Sequence, residues 1–267
     1  KERQAALNKN SNAYPEILGE SNAMRMVFDT INRVAETDAN VLILGENGTG
    51  KELIAKAIHN RSLRSNEVFL PIDMGSISET LFESELFGHK KGAFTDAKEG
   101  RIGKLELANK GSLFLDEIGN LSVTMQAKLL TVLQNRKLIP VGDNREVKLD
   151  VRLICATNMD IMAMVEQNTF RQDLLYRINT IEINLPPLRE RLGDIPLLVN
   201  HFLEMYAKKY NKTAHKVSSA AMKRLEKHSW PGNVREVQHA IGRAVIMSSK
   251  AIVQPEAFNC SHNAINK

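Results

Sequence analysis

Cysteine is scarce: the 267-residue sequence holds two, Cys155 and Cys260. Two thiols cannot build a disulfide framework, nor fill a structural zinc site by themselves. Cys155 lies in an apolar run and reads as a buried core thiol. Long apolar runs are missing too. The longest are Val41–Leu44 and Ile161–Val165, far short of the roughly 18 residues a membrane-spanning helix needs. The polar opening Lys1-Glu2-Arg3-Gln4 carries no leader-like apolar stretch. The expectation is a reducing, cytoplasmic compartment and no membrane partner. Charge of one sign is not in large excess, with 36 Lys and Arg against 31 Asp and Glu, a net of +5. That permits an acidic partner without establishing one. The seven histidines show no metal-ligand spacing. Basic residues are dispersed, and no helix-turn-helix pattern follows Ser248, so DNA binding is not expected of this segment. There is no internal repeat and no low-complexity tract.

What remains is a globular composition, 43% hydrophobic and 25% charged, which excludes disorder throughout. The length suits one large domain or two modest ones. Residues 1–13 and 259–267 read as linkers. Between them, strand-like and helix-like segments alternate. Met24, Val27, Phe28, Ile31, Val34 and Ala35 recur at helical spacing, with Ser21 as N-cap. Short buried strands are expected at Val41–Leu44, Val68–Ile72, Ser112–Leu115, Val151–Ala156 and, more weakly, Thr180–Asn184. Helices are expected at Gly50–His59, Ser78–Phe87 and Ser122–Asn135. Such alternation implies βαβ crossovers and a mostly parallel sheet. After Pro186-Pro187 no strand is expected, only helices at Ile195–Tyr210, Ser218–His228 and Asn233–Ser248. The expected organisation is an α/β part over 14–188 and a helical lid over 189–258.

Two segments carry chemistry. Gly45-Glu46-Asn47-Gly48-Thr49-Gly50-Lys51 fits G-x-x-x-x-G-K and stands between a strand and a helix, the context that motif requires. Its glycines let backbone N–H groups converge on an anion, and the helix start adds its positive end. Lys51 is placed to reach the β- and γ-phosphates of a nucleotide. Glu52 stands where the generic motif has a hydroxyl for Mg²⁺, so a metal must depend on other groups. Leu113-Phe114-Leu115-Asp116-Glu117 is an apolar strand ending in two carboxylates. In a phosphate-loop enzyme, Asp116 would hold Mg²⁺ and Glu117 would polarise the water attacking the γ-phosphate of ATP.

Beyond these, GENGTGKE (Gly45–Glu52), ESELFGHKKGAFTDA (Glu83–Ala97), SLFLDEIG (Ser112–Gly119), FRQDLLYR (Phe170–Arg177), LPPLRER (Leu185–Arg191) and WPGNVRE (Trp230–Glu236) stand in this order. The set resembles the central AAA+ domain of bacterial enhancer-binding proteins, the activators of sigma-54 RNA polymerase. The resemblance covers about Tyr14 to Phe258. It implies an AAA+ phosphate-loop fold with a helical lid, and ATP hydrolysis that drives the closed promoter complex open. It implies that Gly92, Ala93, Phe94, Thr95, Asp96 and Ala97 form a loop tip contacting sigma-54. It implies that Asn158 is the first sensor near the γ-phosphate and Arg235 the second, in the lid. Arg171 and Arg177 match arginine fingers offered to a neighbouring subunit, hence a ring, in this family a hexamer or heptamer. Ile17, Leu18 and Gly19 match the adenine pocket. DNA contact would belong to a further domain beyond residue 267. Asp96 replaces the usual Gly, and Asp73 replaces an Asn that partners the catalytic Glu, so Asp73 beside an ionised Glu117 would be repulsive. Two other readings stay open on the residues alone. One is a module that binds ATP without hydrolysing it; the other is an AAA+ remodeller of a different target.

Overall fold

The computed structural model describes residues 17–94, 97–213, 216–248 and 251–258. Chain order is α1 (Asn22–Ala35), β1 (Val41–Leu44), α2 (Lys51–Asn60), β2 (Phe69–Asp73), α3 (Glu79–Phe87), β3 (Gly88–His89), β4 (Arg101–Ile102), α4 (Lys104–Leu107) and β5 (Ser112–Asp116). Then follow α5 (Val123–Asn135), β6 (Lys137–Leu138), β7 (Val147–Lys148), β8 (Arg152–Thr157), α6 (Ile161–Glu166), α7 (Gln172–Ile178) and β9 (Ile181–Asn184). The last elements are α8 (Ile195–Tyr210), β10 (Lys216–Val217), α9 (Ser219–Lys227), α10 (Asn233–Met247) and β11 (Ile252–Val253). The described residues fall into two compact units. One holds Asp29–Gly45 and Lys51–Asn184; the other holds the residues up to Phe28, the loop Glu46–Gly50 and those from Leu185 on.

The first unit is built on a five-stranded sheet in the order β2-β5-β8-β1-β9, every neighbouring pair parallel. A parallel sheet covered on both faces needs strands that are apolar on both faces. β5 and β8 meet that demand: every residue of β8, Arg152 included, is buried. Their core continues through Phe82, Leu86, Leu129, Leu174 and Ile178 of the helices. Cys155 sits in this core, and burial pushes its thiol well above the ordinary range. Arg152 is tolerated because its guanidinium donates to the carbonyls of Val34 and Ala35, at 2.8 and 3.2 Å, closing the last turn of α1. Because the strands run the same way, Leu44, Asp73, Asp116 and Thr157 all finish at one edge of the sheet.

The second unit is mainly helical. α8, α9 and α10 bury Phe202, Leu225, Trp230, Val237 and Ile241. Trp230 is a core anchor whose indole N–H donates to the Leu225 carbonyl at 2.8 Å. The expectation of helices alone after Pro187 is corrected here. β10 and β11 pair in parallel, Lys216 with Ile252 and Val217 with Val253. Two-residue strands are too short to show a period of two. The same brevity hid β3 with β4 and β6 with β7, both antiparallel. Ser218 caps α9, its Oγ accepting the Ala221 N–H at 3.3 Å. Ser218→Ala should therefore lower stability by about 1 kcal/mol, read as a shift of the thermal unfolding midpoint; an unchanged midpoint would mean the cap carries no weight.

Candidate functional site

The loop leaving β1 begins at Gly45, whose N–H donates to the Thr157 carbonyl at 3.2 Å and ties it to the end of β8. It runs through Gly48 at φ +78° and Gly50 at φ +106°, left-handed conformations that strain any L side chain. At Gly48 a Cβ would also stand 2.3 Å from the Gly232 carbonyl oxygen. α2 starts at Lys51. The Lys51 side chain is only 7% exposed. Its Nζ donates to the Gly45 carbonyl at 3.0 Å and lies 3.8 Å from the Glu117 carboxylate. A buried ammonium, glycine-permitted curvature and a ten-residue helix starting at the loop fit a phosphate group. Glu52 is exposed in the first turn of α2.

Asp116 ends β5, in register with Asp73 at the end of β2. Its Oδ1 accepts the Glu117 N–H at 3.0 Å. Glu117 itself adopts φ +54°, ψ +43°, an uncommon conformation for a residue of its size. Such backbone persists only where the surroundings enforce it, and it concentrates at functional sites. The enforcement is visible one turn later. At Gly119 a Cβ would stand 2.9 Å from both Thr157 Oγ1 and Met159 Sδ, so the turn runs hard against the end of β8. Asn158 is exposed just past that strand end. Asp73 and Glu117, expected to repel each other, have separate partners. Asp73 accepts the Gly75 N–H at 2.9 Å and caps the turn Met74–Ser76; Glu117 has Lys51.

Arg171 is the N-cap residue of α7 and Arg177 lies in its last turn. Arg171 forks onto Asp173 at 2.7 and 3.0 Å, and that pair holds the Asp173 carboxyl below the usual range. Its backbone N–H donates to Gln126 of α5 at 2.8 Å. Arg177 donates from Nη2 to the Leu133 carbonyl at 2.8 Å. Its own carbonyl accepts Asn40 Nδ2 at 2.8 Å. Asn40 immediately precedes β1, so Arg177 stands at the start of the strands, the sheet edge opposite Gly45, Asp116 and Glu117. A cavity of about 270 Å³ opens there, lined by Asn40, Leu113, Arg136, Leu153, Tyr176 and Arg177.

In the mainly helical unit, Leu18 is half-buried against the core around Trp230. A Cβ on Gly19 would meet Met24 at 2.7 Å, and Ile17 is half-buried before it. Arg235, in the first turn of α10, donates its backbone N–H to the Gly48 carbonyl at 3.3 Å. Sequence reasoning missed three neighbours. Arg189 forks onto the Glu46 carboxylate at 2.7 and 2.9 Å. Asn233, fully buried, donates to Glu46 Oε2 at 3.1 Å and to the Asn47 carbonyl at 3.0 Å. Arg191, also buried, donates to the Thr49 carbonyl at 3.2 Å. The Arg189 fork, then Asn233, holds the Glu46 carboxyl below the usual carboxylate range. Its contribution is present above that range and is lost only as pH falls through the lowered value. The segments LPPLRER and WPGNVRE hold these three residues, and nothing in either names Glu46.

The loop between β3 and β4 turns at Gly92, φ +81°. Gly92 donates to the Ala97 carbonyl at 2.8 Å and Ala97 to the Phe94 carbonyl at 2.9 Å. Phe94 is 42% exposed, its ring centroid 4.9 Å from that of His89. Ala93 lies where a Cβ on Gly142 would meet it at 2.7 Å. Ala97 is buried and unsuited to direct partner contact. Thr95 and Asp96 lie outside the described residues.

The sequence profile described as Sigma-54 interaction domain matches residues 17–184, and that of the AAA+ ATPase lid domain matches 189–266. Regulatory protein AtoC of Escherichia coli K12 is 48% identical over 240 residues, covering 90% of this chain and 52% of AtoC. The Nif-specific regulatory protein of Herbaspirillum seropedicae is 47% identical, covering 92% and 46%. A crystal structure of NtrX from Brucella abortus in complex with ATP superimposes with a TM-score of 0.85 at 35% identity, covering 92% of this chain and 56% of that one. The chain spans about half the length of the curated relatives it matches.

Proposed function

Since the chain belongs to the Sigma-54 interaction domain family, with that family's parallel α/β sheet and an AAA+ lid, we propose that it is an ATP-hydrolysing motor domain that remodels sigma-54 RNA polymerase at promoters. The observation that carries the reading is Lys51, buried at the end of a glycine-permitted loop and 3.8 Å from Glu117 beside Asp116. ATP bound to NtrX supports the nucleotide assignment. Lys51 and the amides of the loop bind the phosphates, while Ile17, Leu18 and Gly19 line the adenine. Asp116 would hold Mg²⁺, which would neutralise charge on the phosphates. Glu117 takes the proton of the attacking water, and Asn158 orients that water or the γ-phosphate. Arg235 reports nucleotide from the lid. Arg171 and Arg177 serve the site of a neighbouring copy in a ring, because a guanidinium fork suits the spread charge of the phosphoryl transition state. Asp73, beside Asp116, links that edge to nucleotide state. DNA contact belongs to a further domain of a longer protein.

Phe94 supplies the contact with sigma-54. A partner that covers this ring would bury a large aromatic contact area. Phe94→Ala should weaken capture of sigma-54 by about 2 kcal/mol or more, the scale of a truncated aromatic anchor. The measurement is a pull-down in the presence of a trapped ATP analogue. Phosphate release is followed alongside to show that the variant is folded and turning over. Capture at the parental level would remove the loop from the mechanism.

A further inference from the structure

The phosphate loop is held from behind, residue by residue. Asn47 offers its carbonyl to Asn233, Gly48 to the Arg235 N–H, and Thr49 to Arg191. A trans peptide points its C=O and its N–H in opposite directions. Fixing the carbonyls of Asn47 and Thr49 therefore fixes the opposed N–H groups of Gly48 and Gly50. The Thr49 N–H is used differently, closing a turn on the Glu46 carbonyl at 3.4 Å. Glu46 completes the arrangement. Its carboxylate accepts both prongs of Arg189 and one proton of Asn233. Asn233 in turn accepts the Leu188 N–H at 2.7 Å through Oδ1, so its amide cannot turn without losing three bonds.

We propose that Glu46 and Arg189 are positioning residues of the phosphate loop: their fork, locked by Asn233, turns the loop carbonyls away so that the Gly48 and Gly50 amides face a nucleotide's phosphates. This rests on the nucleotide reading above. The fork is about half exposed on both sides, 42% at Glu46 and 47% at Arg189. Exposed pairs of this kind add little to stability. Its consequence is geometric, and geometry shows in ligand affinity.

The test is calorimetric binding of ADP to the chain and to Glu46→Gln, Arg189→Gln and the double variant. Each single change should weaken ADP roughly tenfold, the order expected of a displaced binding element. The double should cost no more than either single, because both remove one interaction. The unfolding midpoint without nucleotide should stay near the parent's, which separates positioning from folding. Parental affinity in both singles, or losses that add in the double, would overturn the proposal. Lys51→Ala is the control that keeps the two readings apart. A parent that binds ADP and loses it with Lys51→Ala, yet ignores Glu46 and Arg189, leaves the nucleotide site standing and removes the positioning pair. A parent that binds no ADP removes both.

Discussion

Glu117→Ala should retain ATP binding and lose turnover by roughly 10²-fold or more, the scale for removing a general base. The geometry gives the reason for separating the two effects. Lys51 keeps its hydrogen bond to Gly45 when the carboxylate goes, so the loop stays closed on its own cation. The Glu117 N–H still reaches Asp116 Oδ1 whatever the side chain. What disappears is a carboxylate 3.8 Å from the ammonium. Alanine at φ +54° costs no more backbone strain than glutamate does, so folding should survive. Glu117→Gln sharpens the comparison by keeping shape while removing basicity. Nucleotide binding by calorimetry and steady-state phosphate release are measured on the same sample. Parental turnover in either variant would show that the water is activated elsewhere.

Arg177→Ala should lower turnover by roughly 10³-fold where finger arginines act, since such groups are worth 10³ to 10⁵ in related phosphoryl transfers. Among the described residues the guanidinium makes one hydrogen bond, to Leu133. Its loss should cost folding only about 1 kcal/mol. A large kinetic and small thermal effect would therefore mark a group that works outside its own chain. Mixing tests that directly. Arg177→Ala subunits have an intact loop but no finger; Lys51→Ala subunits have the reverse. Together they should recover part of the lost rate, because one kind of interface joins an intact pocket to an intact finger. Turnover per subunit should also rise with protein concentration. A mixture no more active than its parts, in a protein whose rate ignores concentration, would sink the shared site.

Legibility in the sequence followed the distance over which each feature is built. The phosphate loop and the acidic strand end are contiguous, and their glycines, lysine and carboxylates stand in a fixed order. β1 and α8 end where their apolar patterns end. The fork onto Glu46 could not be read, because Arg189 lies 143 positions away and each residue alone looks like a solvated charge. The fate of Asp73 was legible in principle. Asp-x-Gly favours a carboxylate bonded two residues on, and Asp73-Met74-Gly75 does this. That local turn gives Asp73 a donor of its own. The short ladders failed for another reason: a pair of residues has no period, and β10 finds β11 only after α9 and α10 have brought them together.

Arg177 and Glu117 occupy opposite rims of one sheet. On the proposed role of Arg177 in a neighbour's site, each copy would carry a donor on one side and an acceptor on the other, and the contact joining copies would be head-to-tail, with different surfaces meeting. Contacts of this kind have no natural stopping point unless rotation closes them. An open row of copies always leaves one acceptor unserved and one donor idle at its ends; closure serves every site. Small assemblies would then be penalised most, a pair having half its pockets incomplete. Rate per subunit then becomes a gauge of closure as well as of contact, and a substitution that merely skews the angle between neighbours would depress it while every residue of every pocket stayed in place.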